Sequence, residues 1–81
     1  MTHTARFCFE YPDERRARVV ADSVRVEVGR IDDDRSRAAV ERDGRAVSVL
    51  IEARDLVALR AGLNTWIRLV ETAERVASLA E

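Results

Sequence analysis

The stretch "RSRAAVERDGRAVSVLIEAR", Arg35 to Arg54, decides the fold. Two runs of alternating apolar and polar residues flank Asp43-Gly44, a dipeptide favoured in two-residue type I′ hairpins because both central residues take positive φ. Counting outward from that turn pairs Arg42 with Arg45, Val40 with Val47, Ala38 with Val49 and Arg35 with Glu52. Ala38, Val40, Val47, Val49 and Ile51 then share one buried face. Glu41, Arg37 and the opposite-charge pair of Arg35 with Glu52 lie on the other.

Downstream of the hairpin the apolar period changes from two to between three and four. Asp55 is a candidate N-cap, and the helix it starts runs to about Leu79, on the order of 37 Å at 1.5 Å per residue. Leu56, Leu59, Leu63, Trp66, Val70, Ala73 and Ala77 form a continuous stripe that would seat on a sheet or a partner helix. Val57, Ile67, Leu69 and Val76 lie off that stripe. The small residues Ala58, Ala61, Gly62 and Thr65 would let another backbone come close. Gly62 in mid-helix costs roughly 0.8 to 1 kcal/mol relative to Ala, which a packing role would offset. Either the core stripe is simply wide, or this helix buries a second face against another chain.

Upstream, "HTARFCFEY" alternates as a half-buried strand does, with Ala5, Phe7, Phe9 and Tyr11 on one face and Arg6, Cys8 and Glu10 on the other. Pro12 stops it, Asp13 is a candidate N-cap, and Ala17, Val20 and Val24 recur at helical spacing. Beyond them Val24, Val26 and Val28 alternate, Gly29 breaks the pattern, and Asp32, Asp33 and Asp34 read as a solvated loop. Three consecutive carboxylates do not converge as a metal site requires. The order strand, helix, strand, strand, helix predicts an α+β fold: one small domain over residues 1–81, with a three-stranded antiparallel sheet and two helices on one face.

Composition narrows the function. Of 81 residues, 47% are hydrophobic and the formal net charge is −1, so the chain is neither disordered by composition nor a general polyanion binder. A domain this small buries only about 60% of its unfolded surface, which makes help from a partner expected. No apolar run approaches the roughly 20 residues that span a bilayer, and the N-terminus lacks the order of a signal peptide, which points to the cytoplasm and away from membranes. The single cysteine, Cys8, excludes an internal disulfide and a cysteine-based zinc cluster. The single histidine, His3, has no serine, acid or metal-ligand arrangement around it. Gly29, Gly44 and Gly62 stand too far apart for a phosphate loop, so no cofactor is expected.

Every basic side chain is arginine, and Arg35, Arg37, Arg42, Arg45 and Arg54 gather around the hairpin, the first four of them at its strands and tip. Those four are the candidate contacts to RNA phosphates, although arginines at a hairpin tip also serve plain charge balance. The third strand, "AVSVLIEA", offers no aromatic platform for bases, and no GxxG loop is present. A free-standing KH-like RNA-binding domain is therefore the second reading.

The run "IEARDLVALRAGLNTWIRLVETAERV", preceded by a DG hairpin and "RAVSVLIEA", resembles the small Pcc-type subunit of the KEOPS complex. The resemblance covers nearly the whole chain in element order, and its specificity lies in Ala53, Asp55, Leu56, Leu59, Arg60, Asn64, Trp66 and Arg68. Where the family commonly has Asn-Ser, this chain has Asn64-Thr65, a small change between hydroxyl residues. The resemblance implies a non-catalytic scaffold that dimerises and docks onto the transferase subunit that makes threonylcarbamoyl-adenosine at adenosine 37 of certain tRNAs. It implies no cofactor in this chain and a secondary contact with tRNA. Helical geometry and the motif together mark Leu59, Leu63, Trp66, Ile67 and Val70 as partner contacts. Arg60 and Asn64 are polar positions that either fix such an interface or make ordinary local bonds.

Overall fold

In the computed structural model, which describes residues 1–30 and 33–79, the chain runs β1 (His3–Glu10), α1 (Glu14–Arg25), β2 (Ser36–Asp43), β3 (Ala46–Ala53) and α2 (Leu56–Leu79). The sheet is antiparallel in the order β1-β3-β2, so the last strand in sequence lies at the centre. That position explains its apolar content. Val47, Val49, Ile51 and Ala53 of β3 are all buried, whereas the inward residues of the edge strands, Phe7, Phe9, Ala38 and Val40, are half-buried. Both helices pack on this inner face. One hydrophobic core draws on them and on all three strands.

The hairpin exists, but its turn is displaced by one residue from the expected one. Asp43 remains in β2 opposite Ala46, and the two turn residues are Gly44 and Arg45. Gly44 has φ +60 and, among the described residues, no non-glycine residue has positive φ, the pattern of a type II′ turn with glycine at its first central position. A type I′ turn on Asp43-Gly44 would have forced Asp43 into the left-handed region as well. The shift moves each β2 residue two places along β3, so Val40 faces Val49 and Ala38 faces Ile51. A two-residue shift preserves which face each side chain occupies, and the expected inner face survives. The cross-strand ion pair changes partner: Arg37, not Arg35, meets Glu52, with Nε to Oε1 at 3.2 Å.

Helix α1 starts as its sequence indicates. The Asp13 carboxylate accepts the Arg16 N–H at 2.8 Å, and Ala17, Val20, Ala21 and Val24 are buried. Val24 belongs to this helix, not to an alternating run. After Arg25 the chain turns, leaving Val26 and Val28 exposed. Asp33 and Asp34 are exposed, and the Asp33 carboxylate accepts the N–H groups of Arg35 and Ser36 at 2.7 and 3.0 Å, closing the turn into β2. Asp32, the first of the acidic run, lies outside the described residues.

Tyr11, just past β1, ties the ends of the two helices together. Its hydroxyl donates to Glu74 Oε2 on α2 at 2.8 Å, and its ring joins the core. Burial first, and then that bond to a carboxylate, push the Tyr11 phenol well above its ordinary value.

Candidate docking surface on the long helix

Helix α2 is 24 residues long, twice the length of α1. It begins immediately after β3 because the Asp55 carboxylate accepts the Ala58 N–H at 2.7 Å, while the Asp55 carbonyl accepts the Leu59 N–H at 3.0 Å. Its buried line is Ala58, Trp66, Val70, Ala73 and Ala77. Of the small residues, Gly62 has a partner within the chain: a Cβ placed on it would meet Ile51 Cγ2 at 3.1 Å. At Gly62 the close approach expected of this stretch is made to a side chain of β3.

This geometry sorts the expected partner contacts into three groups. Trp66 and Val70 are only 2% and 0% exposed, so they belong to the monomer core. Their stripe coincides with the side of α2 that the sheet claims first. Leu59 and Leu63 are half-buried and pack against that core, while Arg60, Asn64 and Ile67 are exposed. Among the described residues, nothing bonds to the Arg60 guanidinium.

Apart from Leu79 at the end of the helix, the most exposed apolar side chains of α2 were not among the expected contacts. Leu56 is 66% exposed and Val57 72%, and with Arg60, Ala61 and Asn64 they line a shallow recess at the start of the helix. Val57 and Ala61 also form one wall of a groove of about 180 Å³, whose other wall is Asp33, Arg35 and Ser36. The signal for these residues was available. An apolar pair directly after an N-cap precedes the point at which the helix meets the sheet, so it has no core to enter.

The hairpin arginines are held locally rather than gathered into one patch. Arg37 pairs with Glu52, and Arg45 reaches Glu10 Oε1 at 3.2 Å and the Pro12 carbonyl at 3.5 Å. Arg42 donates to the Gly44 carbonyl at 2.9 Å. Arg35 stands apart from these, on the wall of the groove. Exposed pairs of this kind contribute about 0 to 1 kcal/mol and exchange readily for other anions. Among the described residues, no three His, Cys, Asp or Glu side chains converge as a metal site would need, and no helix is long and apolar enough to cross a membrane.

A family described as "Transcription factor Pcc1" matches residues 4–78, which takes in all five elements of the fold. The chain belongs to the Pcc1 family. One relative is the KEOPS complex subunit Pcc1 of Pyrococcus abyssi (strain GE5 / Orsay), 35% identical over 68 residues, covering 84% of this chain and 83% of that protein. A solved structure, the crystal structure of a binary complex of Gon7 and Pcc1, superposes with a TM-score of 0.82 over 99% of this chain and 98% of that one. At 18% identity that likeness shows the shared fold. Of the residues that carry the family resemblance, Asp55 caps α2, Ala53 and Trp66 are core, and Leu56, Arg60, Asn64 and Arg68 face solvent.

Proposed function

We propose that this chain is a non-catalytic docking and dimerisation subunit of a KEOPS-type assembly, acting in the cytoplasm as a single domain without a cofactor. In this reading it supports threonylcarbamoyl transfer to adenosine 37 of tRNA by binding the transferase subunit and bridging copies of it. The observation that carries the reading is the exposed face of α2. Leu56, Val57 and Ile67 are apolar, lie beyond the core, and are interleaved with Arg60 and Asn64 on a rigid helix. A surface of that composition suits an apolar helix face with a few placed polar bonds. Family membership and the KEOPS subunit among the relatives supply the partner class.

The test is Val57→Asp combined with Ile67→Asp. Both side chains are exposed, so the double variant should unfold within about 0.5 kcal/mol of the wild type. Its binding to the transferase subunit should fall by at least about a hundredfold, as loss of central interface anchors does. Leu63→Asp is a poorer probe, since Leu63 packs on the core and the fold would suffer too. Transferase binding that survives in the folded double variant would remove α2 as the docking surface.

Contact with tRNA is assigned to Arg35, Arg37, Arg42 and Arg45 as a secondary, phosphate-directed role. Arg42→Glu with Arg45→Glu should lower tRNA affinity of the assembled complex severalfold and flatten its salt dependence, with assembly unchanged. Unaltered tRNA affinity would rule out the hairpin tip. Tight, steeply salt-dependent RNA binding by the isolated chain, without transferase binding, would instead favour the KH-like reading.

A further inference from the structure

The two helices carry their charges in opposite orders. Helix α1 follows its macrodipole, with Asp13 as its cap, Glu14 in the first turn and Arg25 in the last. Helix α2 does not. Its cap, Asp55, is acidic, but no acidic residue stands in its first turn and no basic one in its last. From Leu56 to Val70 the only charged side chains are Arg60 and Arg68, and the carboxylates of Glu71 and Glu74 come after them. That order is the reverse of the one the dipole favours. Neither arginine is neutralised within the chain: among the described residues, nothing bonds to either guanidinium. The positions three and four residues from Arg60, where a helical ion pair would form, hold Leu56, Val57, Leu63 and Asn64. Steps of three, four and four place Val57, Arg60, Asn64 and Arg68 on one side of α2, and all four are exposed, as is Ile67 beside them. Arg60 and Arg68 are two turns apart, about 12 Å at 1.5 Å per residue, with Asn64 midway.

We infer that the partner docked on α2 meets this face with an acidic helix, placing one carboxylate on Arg60 and a second on Arg68 and seating apolar side chains on Val57 and Ile67. The inference rests on the docking role proposed above and gives that partner its chemistry. A guanidinium takes a carboxylate through two parallel N–H bonds, so each arginine fixes position as well as sign. Two acidic residues about seven or eight apart on one helix have the spacing that these arginines require. A helix with basic residues at those two places is repelled, which makes the pair a selector among partners of similar apolar character. The apolar neighbours decide which class of anion fits. Leu56 and Val57 line the same recess as Arg60, Ala61 and Asn64. Beneath a phosphate backbone those side chains would stay wet, whereas a helix that brings its own apolar residues covers them.

The experiment measures binding of the full chain to the transferase subunit across a salt series. Arg60→Glu combined with Arg68→Glu should weaken binding by about a hundredfold at low salt, and Arg60→Gln with Arg68→Gln by roughly tenfold. Wild-type affinity should fall as salt is raised, while that of the glutamate variant should rise as repulsion is screened. Folding moves in the opposite sense and so cannot mimic the effect. Carboxylates in this half of α2 agree with its dipole, and the glutamate variant should unfold at a urea concentration equal to or above that of the wild type. Arginine variants that bind as tightly as the wild type, with the same salt dependence, would overturn the acidic partner while the docking reading stands on Val57 and Ile67. Failure of the docking reading is a different result, namely binding that survives Val57→Asp with Ile67→Asp. If the arginine variants keep transferase binding but weaken tRNA binding by the assembled complex, the anion is a phosphate and the inference falls.

Discussion

Helices α1 and α2 lie on the same face of the same sheet, yet they treat their surfaces differently. In α1 every apolar side chain reaches or flanks the core, Ala17, Val20, Ala21 and Val24 fully and Val19 partly. Its remaining residues are charged or hydroxylic, and it ends at Arg25. Helix α2 buries a comparable line but leaves Leu56, Val57, Ile67, Val76 and Leu79 in solvent. A helix made only to stabilise this domain would resemble α1. On the docking proposal, the surplus on α2 answers a requirement set outside the monomer, and it is the physical content of that proposal.

The largest effect expected on this comparison comes from Trp66→Ala. Trp66 is the largest fully or nearly fully buried side chain, and its loss should cost about 3 to 5 kcal/mol, a large part of what so small a domain possesses. On the opposite side of α2, aspartates at positions 57 and 67 should cost almost nothing in stability and most of the partner affinity. Urea unfolding separates the two. If Trp66→Ala unfolds at the wild-type midpoint, then the division of α2 into a core side and a docking side is wrong.

How far that division could be read in advance depended on which interaction set each feature. Element order, both aspartate caps and the inner faces of the strands follow from local chemistry and period, and they appear where the sequence placed them. The hairpin register does not follow from period. Asp43-Gly44 and Gly44-Arg45 both supply glycine at a legal position, and the choice between I′ and II′ moved the pairing by two residues without changing any face. Trp66 and Val70 lie in the core rather than on a free face for another reason. Trp66 and Val70 are marked by helical spacing, but spacing alone cannot distinguish a stripe facing a sheet from one facing a second protein. The depth of Ile51 beneath Gly62 decides that, and it is a tertiary fact. The apolar pair Leu56-Val57, by contrast, was legible from its position just after the cap.

Tyr11 is where the two helices can be tested together with the smallest perturbation, since it precedes α1 and bonds to Glu74 of α2. Tyr11→Phe keeps the ring and removes one hydrogen bond, which should cost about 1 kcal/mol near neutral pH. The pH dependence is more telling. The folded-state pKa of Tyr11 is raised above the ordinary value of 10.0, so the protonated phenol is favoured by the fold. Its contribution is fully present below that ordinary value and is lost as the pH rises toward the folded-state pKa, because the unfolded chain releases the proton first. Wild-type stability should therefore fall as the pH rises above about 10, and the phenylalanine variant should fall less over the same range. Tyr11 is the only tyrosine, so the difference between the two slopes belongs to it. Equal slopes would mean that the Tyr11 hydroxyl is as free in the fold as in the unfolded chain, and that α1 and α2 are joined by apolar packing alone.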